Sequence, residues 1–389
     1  MSFMIAEIPL SLYIHIPWCE KKCPYCDFNS HLMKSAIDEK AYVEALINDL
    51  ETDLIKFQNH VNNRKLSSIF IGGGTPSLFS SASFKRLIKQ VRNPIDFADD
   101  IEITSEANPG SSEVEKFAEF REAGVNRLSI GIQSFNIKYL KKLGRVHNQH
   151  DALNAANYAK QAGFDNFNLD LMFGLPNQSY EHALEDVQQA IELKSSHLSC
   201  YQLTIEPNTL FHHKPPITPD DDLLWEMQEA IQKALAKAEF KQYEVSAYAK
   251  PSQQCKHNLN YWKFGDYLGI GAGAHAKLTS HSGEMTRFWK VKHPTNYMKA
   301  GDSYIGGQNS IEPEQQVFEF MMNALRLTDG FDFSLLEKRV QKLGGAYQVI
   351  IDKHQRQGLI EIDSRMLKPT KRGRQLLDSM LQDYLAMNG

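Results

Sequence analysis

Short apolar runs alternate with amphipathic stretches through the first half of the chain. An apolar run over residues 11–16, ended by Pro17, predicts a first strand. Val43, Leu46, Ile47, Leu50 and Leu54 recur at helical spacing and predict a helix over 38–57. A strand at 67–71 runs into Gly72-Gly73-Gly74-Thr75-Pro76, and helix 83–92 follows with Phe84, Leu87, Ile88 and Val91 inward. Strand 101–107 comes next, and Ser112 and Glu115 have capping-box spacing for a helix that stops at Gly124. Strand 127–132, a helix reaching Leu143, the turn Gly144-Arg145, helix 151–162, strand 167–173, helix 180–193 and strand 197–205 complete the series. Six strands alternating with helices predict a parallel sheet of βα units. Glu122-Ala123-Gly124-Val125-Asn126 and Gln161-Ala162-Gly163-Phe164-Asp165 repeat at the same helix-to-strand junction. Six units are too few for a closed eight-fold barrel. An open three-quarter barrel and a doubly wound sheet both fit this alternation.

After Glu206 the regularity stops. Lys214 to Pro219 is a proline-rich connection, 223–240 a long amphipathic helix and 243–248 a short strand. Residues 257–276, rich in glycine and aromatics, read as loop packed on the barrel. Helices at 334–341 and 346–357, a strand at 358–362 and a final helix at 368–385 have the order of a small winged-helix-like unit. The chain therefore divides into 1–210, a partial barrel with a cysteine loop; 211–310, an extension; and 311–389, a winged-helix-like domain.

The 389 residues carry a net charge of −4, and 42% are hydrophobic, which suits a globular protein with a substantial core and no general attraction to nucleic acid or anionic lipid. Lys368, Lys371, Arg372 and Arg374 read as a solvated helix face rather than a DNA-binding one. No apolar stretch reaches the length of a membrane span. Met1 to Leu10 lacks the pattern of a signal peptide. Five cysteines, three of them clustered, are not a disulfide framework, and a reducing cytoplasm is the expected compartment.

Cys19, Cys23 and Cys26 are spaced C-x3-C-x2-C directly after the first strand. Thiolates this close can hold one soft metal centre. Three are one short of a closed tetrahedral zinc site, although His31 offers a fourth ligand. Cys23-Pro24-Tyr25-Cys26 alone has the form of a dithiol redox site, which leaves Cys19 without a role. A cubane held by three thiolates keeps one iron open for a further ligand. Polar residues then collect where strands of a parallel barrel end. Consecutive glycines admit a ligand close to the backbone, or simply form a tight turn. Glu106 accepts hydrogen bonds, Gln133 both donates and accepts, and Arg145 offers a fork to a carboxylate. Asp170, in an apolar strand, needs a bound ligand or an ion pair with Arg145 or Arg127.

The cysteine spacing resembles the radical S-adenosylmethionine (SAM) superfamily. Tyr-x-His-Ile-Pro ahead of Cys19 narrows the resemblance to the oxygen-independent coproporphyrinogen oxidase group. That likeness implies an open three-quarter (β/α)6 barrel in the α/β class, with a C-terminal helical, winged-helix-like domain. It implies a [4Fe-4S] cluster on Cys19, Cys23 and Cys26. It also implies SAM contacts from Tyr13, Tyr25, Gly72, Gly73, Gly74, Thr75, Glu106, Gln133, Arg145 and Asp170, with a looser match at Thr204. Two features depart from the oxidases. Phe28 stands where they carry a fourth cysteine, and only Met1 to Leu10 precede the first strand. Asp27-Phe28-Asn29-Ser30 and His257-Asn258-Leu259-Asn260-Tyr261-Trp262 look like the HemW branch, a set of haem chaperones. The implied function is to bind haem, cluster and SAM and to deliver haem to acceptors such as respiratory haem enzymes. An electron donor for the cluster is implied, and a homodimer is compatible; the rival is the oxidase itself. His257 can ligate haem iron, with Tyr261 and Trp262 as stacking faces, or the three form an aromatic plug. His212, His213 and His275 are alternative ligands on chemistry alone.

Overall fold

In the computed structural model, which describes residues 5–110, 113–340, 343 and 345–386, six strands follow the alternation read above. They are β1 (Leu10–Ile16), β2 (Leu66–Gly73), β3 (Phe97–Ala107), β4 (Arg127–Gln133), β5 (Phe167–Phe173) and β6 (His197–Gln202). Each pairs in parallel with the next, in the order β1-β2-β3-β4-β5-β6. A doubly wound sheet reverses its strand order at a switch point. This sheet does not, so the partial barrel is the architecture.

The helices α1 (Glu39–Lys56), α2 (Ser81–Val91), α3 (Glu113–Ala123), α4 (Gln149–Gln161) and α5 (Tyr180–Glu192) cover the outer face. Side chains alternate across each strand. Leu128, Ile130 and Ile132 of β4, Leu169 and Leu171 of β5 and Leu198 of β6 are fully buried in the core with the helices. Their neighbours Arg127, Ser129, Gly131, Gln133, Asn168, Asp170, His197, Ser199 and Tyr201 face an interior cavity. Ser112, expected to cap α3, lies outside the described residues.

The barrel stays open because both its edges are extended. Strands β7 (Lys241–Gln242) and β8 (Ala247–Ala249) follow the long helix α6 (Asp221–Lys237), and β8 runs antiparallel to β6. Where loop was expected over 257–276, the chain forms helix α7 (Lys256–Trp262), strand β9 (Asp266–Ile270) and the start of β10 (His275–Thr279). β9 pairs in parallel with the free edge of β1, and β10, β11 (Met285–Lys290) and β12 (Ile305–Ile311) continue the sheet. The sixth strand ends at Gln202, three residues short of its predicted end.

Lys290 of β11 ties this extension to α1. Its ammonium is fully buried and bonds both Asp49 and Asp53, the latter at 2.6 Å. The Tyr297 hydroxyl also donates to Asp49 at 2.6 Å. A second core, centred on Phe320, Met321 and Leu336, lies beyond β12. There β13 (Phe331–Asp332), β14 (Ile360–Asp363) and β15 (Met366–Pro369) form a small antiparallel sheet. The start of the expected final helix is therefore strand β15, followed by helices Lys371–Gln375 and Leu377–Leu385.

Candidate cluster and cofactor site

Pro17 ends β1 and the chain turns into the cysteine loop. The loop is pinned at its base, where the His31 N–H donates to Pro17 and the Met33 N–H to Cys19. A short parallel ladder pairs Trp18 with His31 and Cys19 with Leu32. Cys19, Cys23 and Cys26 are free thiols, each partly exposed, while Cys200 and Cys255 are buried. Burial pushes the Cys200 and Cys255 thiols up to about 12. Burial also raises Cys19 and Cys26, opposed by the Thr75 hydroxyl at Cys19 and by the Phe28 backbone and Ser30 at Cys26. Among the described residues, no three His, Cys, Asp or Glu side chains converge tightly enough for a single metal ion. In a cubane each thiolate takes a different iron, so three thiolates on one loop need not meet at a single ion.

The glycine run lies directly under this loop. The Gly74 N–H donates to Ile16 and the Thr75 N–H to Trp18, both at 2.7 Å. A Cβ on Gly74 would stand 2.3 Å from the Trp18 carbonyl oxygen. Gly73 has φ of +116°, and a Cβ there would stand 2.4 Å from the His15 ring. Only glycine fits this approach. His15 is held in turn by the Tyr13 hydroxyl at 2.9 Å and the Asn29 carbonyl at 3.0 Å.

The cavity beneath the loop has a volume of about 440 Å³, within the range of small-ligand clefts. Cys19, Cys23, Cys26, Tyr25, Gly73, Gly74, Thr75, Glu106, Gln133, Arg145 and Asp170 all line it. Glu106 accepts the Gly73 N–H at 3.0 Å. Burial raises its pKa to about 7, the Gly73 N–H opposes that rise and the nearby Asp170 carboxylate adds to it. Asp170 pairs with neither arginine. It accepts from Ser129 at 2.9 Å and Asn168 at 2.8 Å, and burial raises its pKa. Arg145 meets Asn108 at 2.6 Å, the Gly131 carbonyl at 2.9 Å and Cys23 Sγ at 3.8 Å, so in the free protein its fork meets no carboxylate. Gln133 is held at φ of +66° where β4 ends, a conformation that costs a non-glycine residue energy and is stored at functional sites.

Four of the sequence-selected residues stand elsewhere. Tyr13 and Gly72 back the site without lining it, and Thr204 is exposed past the end of β6. His257 is 1% exposed, with Ser68 on Nδ1 and the Tyr261 hydroxyl on Nε2, both at 3.0 Å. Ser68 pairs with Ser11, five residues before the strand ends that carry the cysteine loop, roughly 16 Å away at strand rise. Tyr261 packs edge-on against Tyr267, and Arg326 covers the Trp262 ring. This is the arrangement of an aromatic plug rather than of an exposed ligand and stacking face.

Arg127, Ser129, Asn168, His197, Ser199, Tyr201 and Asn258 line the cavity but were not selected from sequence. The signal was there as polar residues at every second position of β4, β5 and β6. Asn168 is their hub, bonded to Ser129, Asp170, Ser199 and His197.

Comparison with known proteins agrees with this geometry. The Radical SAM superfamily profile matches residues 13–190 and the HemN C-terminal domain profile residues 311–376. Heme chaperone HemW of Haemophilus influenzae is 51% identical over 97% of this chain and 98% of its own length. The chain belongs to the HemW family. Heme chaperone HemW of Escherichia coli is 47% identical, over 98% of this chain and 100% of its own. The solved structure of the E. coli coproporphyrinogen III oxidase HemN, a radical SAM enzyme, shares the fold. It has a TM-score of 0.81 and 23% identity, over 97% of this chain and 90% of that one. The radical SAM superfamily match implies a [4Fe-4S] cluster and SAM. Among the described residues no helix is long and apolar enough to cross a membrane.

Proposed function

We propose that this HemW-family protein carries haem and delivers it to acceptor proteins in a reducing, cytoplasmic compartment. The supporting observation is full-length identity of about one half to a relative named a heme chaperone. In this reading Cys19, Cys23 and Cys26 hold the cluster, which supplies an open iron for the amino-acid end of SAM. Glu106, Gln133, Arg145 and Asp170 provide the polar walls of the SAM cavity. Glu106 and Asp170 accept from SAM donors, and Gln133 fixes orientation with its amide. Arg145, bonded to Gly131 and close to Cys23, places a fixed positive charge between the loop and the cavity. Phe28, where the oxidases have a cysteine, is 58% exposed at the cavity rim and supplies no thiolate.

The test is an anaerobic pair of assays on reconstituted full-length protein. In one, haem-loaded protein is mixed with an apo haem protein and transfer is followed by absorption. In the other, reduced protein, SAM and coproporphyrinogen are incubated together. Haem transfer without protoporphyrinogen is the expected result. Catalytic formation of protoporphyrinogen would overturn the reading and restore the oxidase.

A further inference from the structure

Outside the cavity lining, the cysteine loop carries a second group of chemically suited residues. Asn29 staples the loop to the sheet extension. Its Nδ2 donates to the Ala272 and Lys292 carbonyls, both at 2.8 Å, and its Oδ1 meets His31 Nε2 at 3.2 Å. Gly273, at φ of +79°, makes room for it, since a Cβ there would stand 2.4 Å from Nδ2. The staple brings His31 edge-on to His293, with ring centroids 5.4 Å apart at 72°. His31 is thereby oriented, whereas His293 is exposed and, among the described residues, its ring meets only His31. Exposed Leu32 and Met33 follow His31 in the chain, and the exposed Lys22 and Lys292 border the pair.

We propose that this face is the haem-binding site, with His293 the axial ligand to iron and His31 the residue that positions it. The proposal rests on the carrier reading above. The chemistry selects haem over a bare metal ion. Among the described residues, no third His, Cys, Asp or Glu converges with the two imidazoles. The surroundings are apolar side chains and two cations, which match a macrocycle edge and its propionates. A neutral imidazole is a standard haem ligand. His257, by contrast, would have to leave a buried site and abandon two hydrogen bonds. The face is continuous with the cluster loop through the Trp18–His31 and Cys19–Leu32 pairs, so bound haem would sit beside the cluster and outside the SAM cavity.

The experiment is haemin titration of reconstituted full-length protein, read by absorption and electron paramagnetic resonance. Wild type is compared with His293→Ala, His31→Ala, His275→Ala and His257→Ala. His293→Ala is expected to shift the haem spectrum, and added imidazole to restore it. His31→Ala, which removes an orienting neighbour, is expected to weaken affinity roughly tenfold while keeping the wild-type ligation signature. His275→Ala is expected to leave both unchanged. Iron, sulfide and thermal unfolding identify any variant that has misfolded. A His293→Ala protein with wild-type spectrum and affinity would overturn the site, and a shifted spectrum in His257→Ala alone would place the ligand there; both leave the carrier reading standing. Failure of wild type to bind haem would remove the carrier reading and this site together.

Discussion

Replacing Glu106 with Gln removes a titrating group from the cavity wall while keeping its shape. The carboxyl has the Gly73 N–H as a partner but, among the described residues, no cation, and burial raises its pKa from 4.5 to about 7. In the unfolded chain it ionises near its ordinary value. Between those limits the unfolded state has released a proton that the folded state retains. The stabilising contribution is therefore complete below pH 4.5 and is lost as pH rises through about 7. A shift of this size corresponds to about 3 kcal/mol. Glu106 lines the cavity and is only partly buried, so water there screens its charge and about 3 kcal/mol is the upper bound. Denaturant unfolding of the cluster-free protein at pH 5 and pH 8 measures it. The stability advantage of Glu106→Gln over wild type should grow between the two. Asp53 and Asp186, with pKa values raised by burial to about 7 and about 6, titrate in the same window but cancel in the difference. Donors on SAM that favour the carboxylate should pull its pKa down. SAM affinity of wild type should then rise with pH through about 7, and that slope should vanish in the variant. Parallel stability profiles for the two proteins would refute the reasoning.

Alanine at Cys19, Cys23 or Cys26 should remove most cluster iron, while alanine at the buried Cys200 or Cys255 should not; iron and sulfide analysis decides it. Gly73→Ala should be destabilising by at least about 1–3 kcal/mol and should weaken SAM binding, because the new Cβ meets the His15 ring at positive φ; thermal unfolding and calorimetry report the two effects. Lys290→Ala leaves Asp49 and Asp53 buried without their cation and should cost about 3–5 kcal/mol. A Lys290→Ala protein as stable as wild type in denaturant would show that the two carboxyls are neutral.

The barrel was legible because its inner and outer faces differ. Leu128, Ile130 and Ile132 alternate with Arg127, Ser129, Gly131 and Gln133, and β5 ends where its apolar run ends. The extension was not legible because its strands look like loops. Glycine weakens a strand and usually signals irregular chain. Here it is required by close packing. A Cβ on Gly269 of β9 would stand 1.9 Å from the His275 carbonyl oxygen, and one on Gly307 of β12 would stand 2.3 Å from the Trp289 ring. β12 also exposes Gly307, Gln308, Asn309 and Ser310 to varying degrees. The three cysteines stand out in sequence because residues of one loop are neighbours in the chain. His257 stayed open between haem ligand and aromatic plug because sequence shows its chemistry but not its burial, and its partner Ser68 lies 189 residues away.

The two proposed ligands differ in the surface they require, and the structure offers two surfaces that differ in the same way. The lumen carries buried polar groups at a cost, since such groups destabilise unless they are paired. Its floor is paired through Asn168, His197 and Tyr243, but the Arg145 and Arg127 Nε atoms have no hydrogen-bond partner. Such a lumen offers hydrogen-bond partners and charge to a molecule such as SAM. The outer face of the cysteine loop, with Leu32 and Met33 exposed beside the His31–His293 pair, offers apolar contact and an imidazole instead. The expected outcome is that haem and SAM bind together, each with little effect on the other's affinity. Titrating SAM into haem-free and haem-loaded protein tests this directly. Strict competition would mean that haem enters the lumen, and the assignment of the two ligands to separate sites would be wrong.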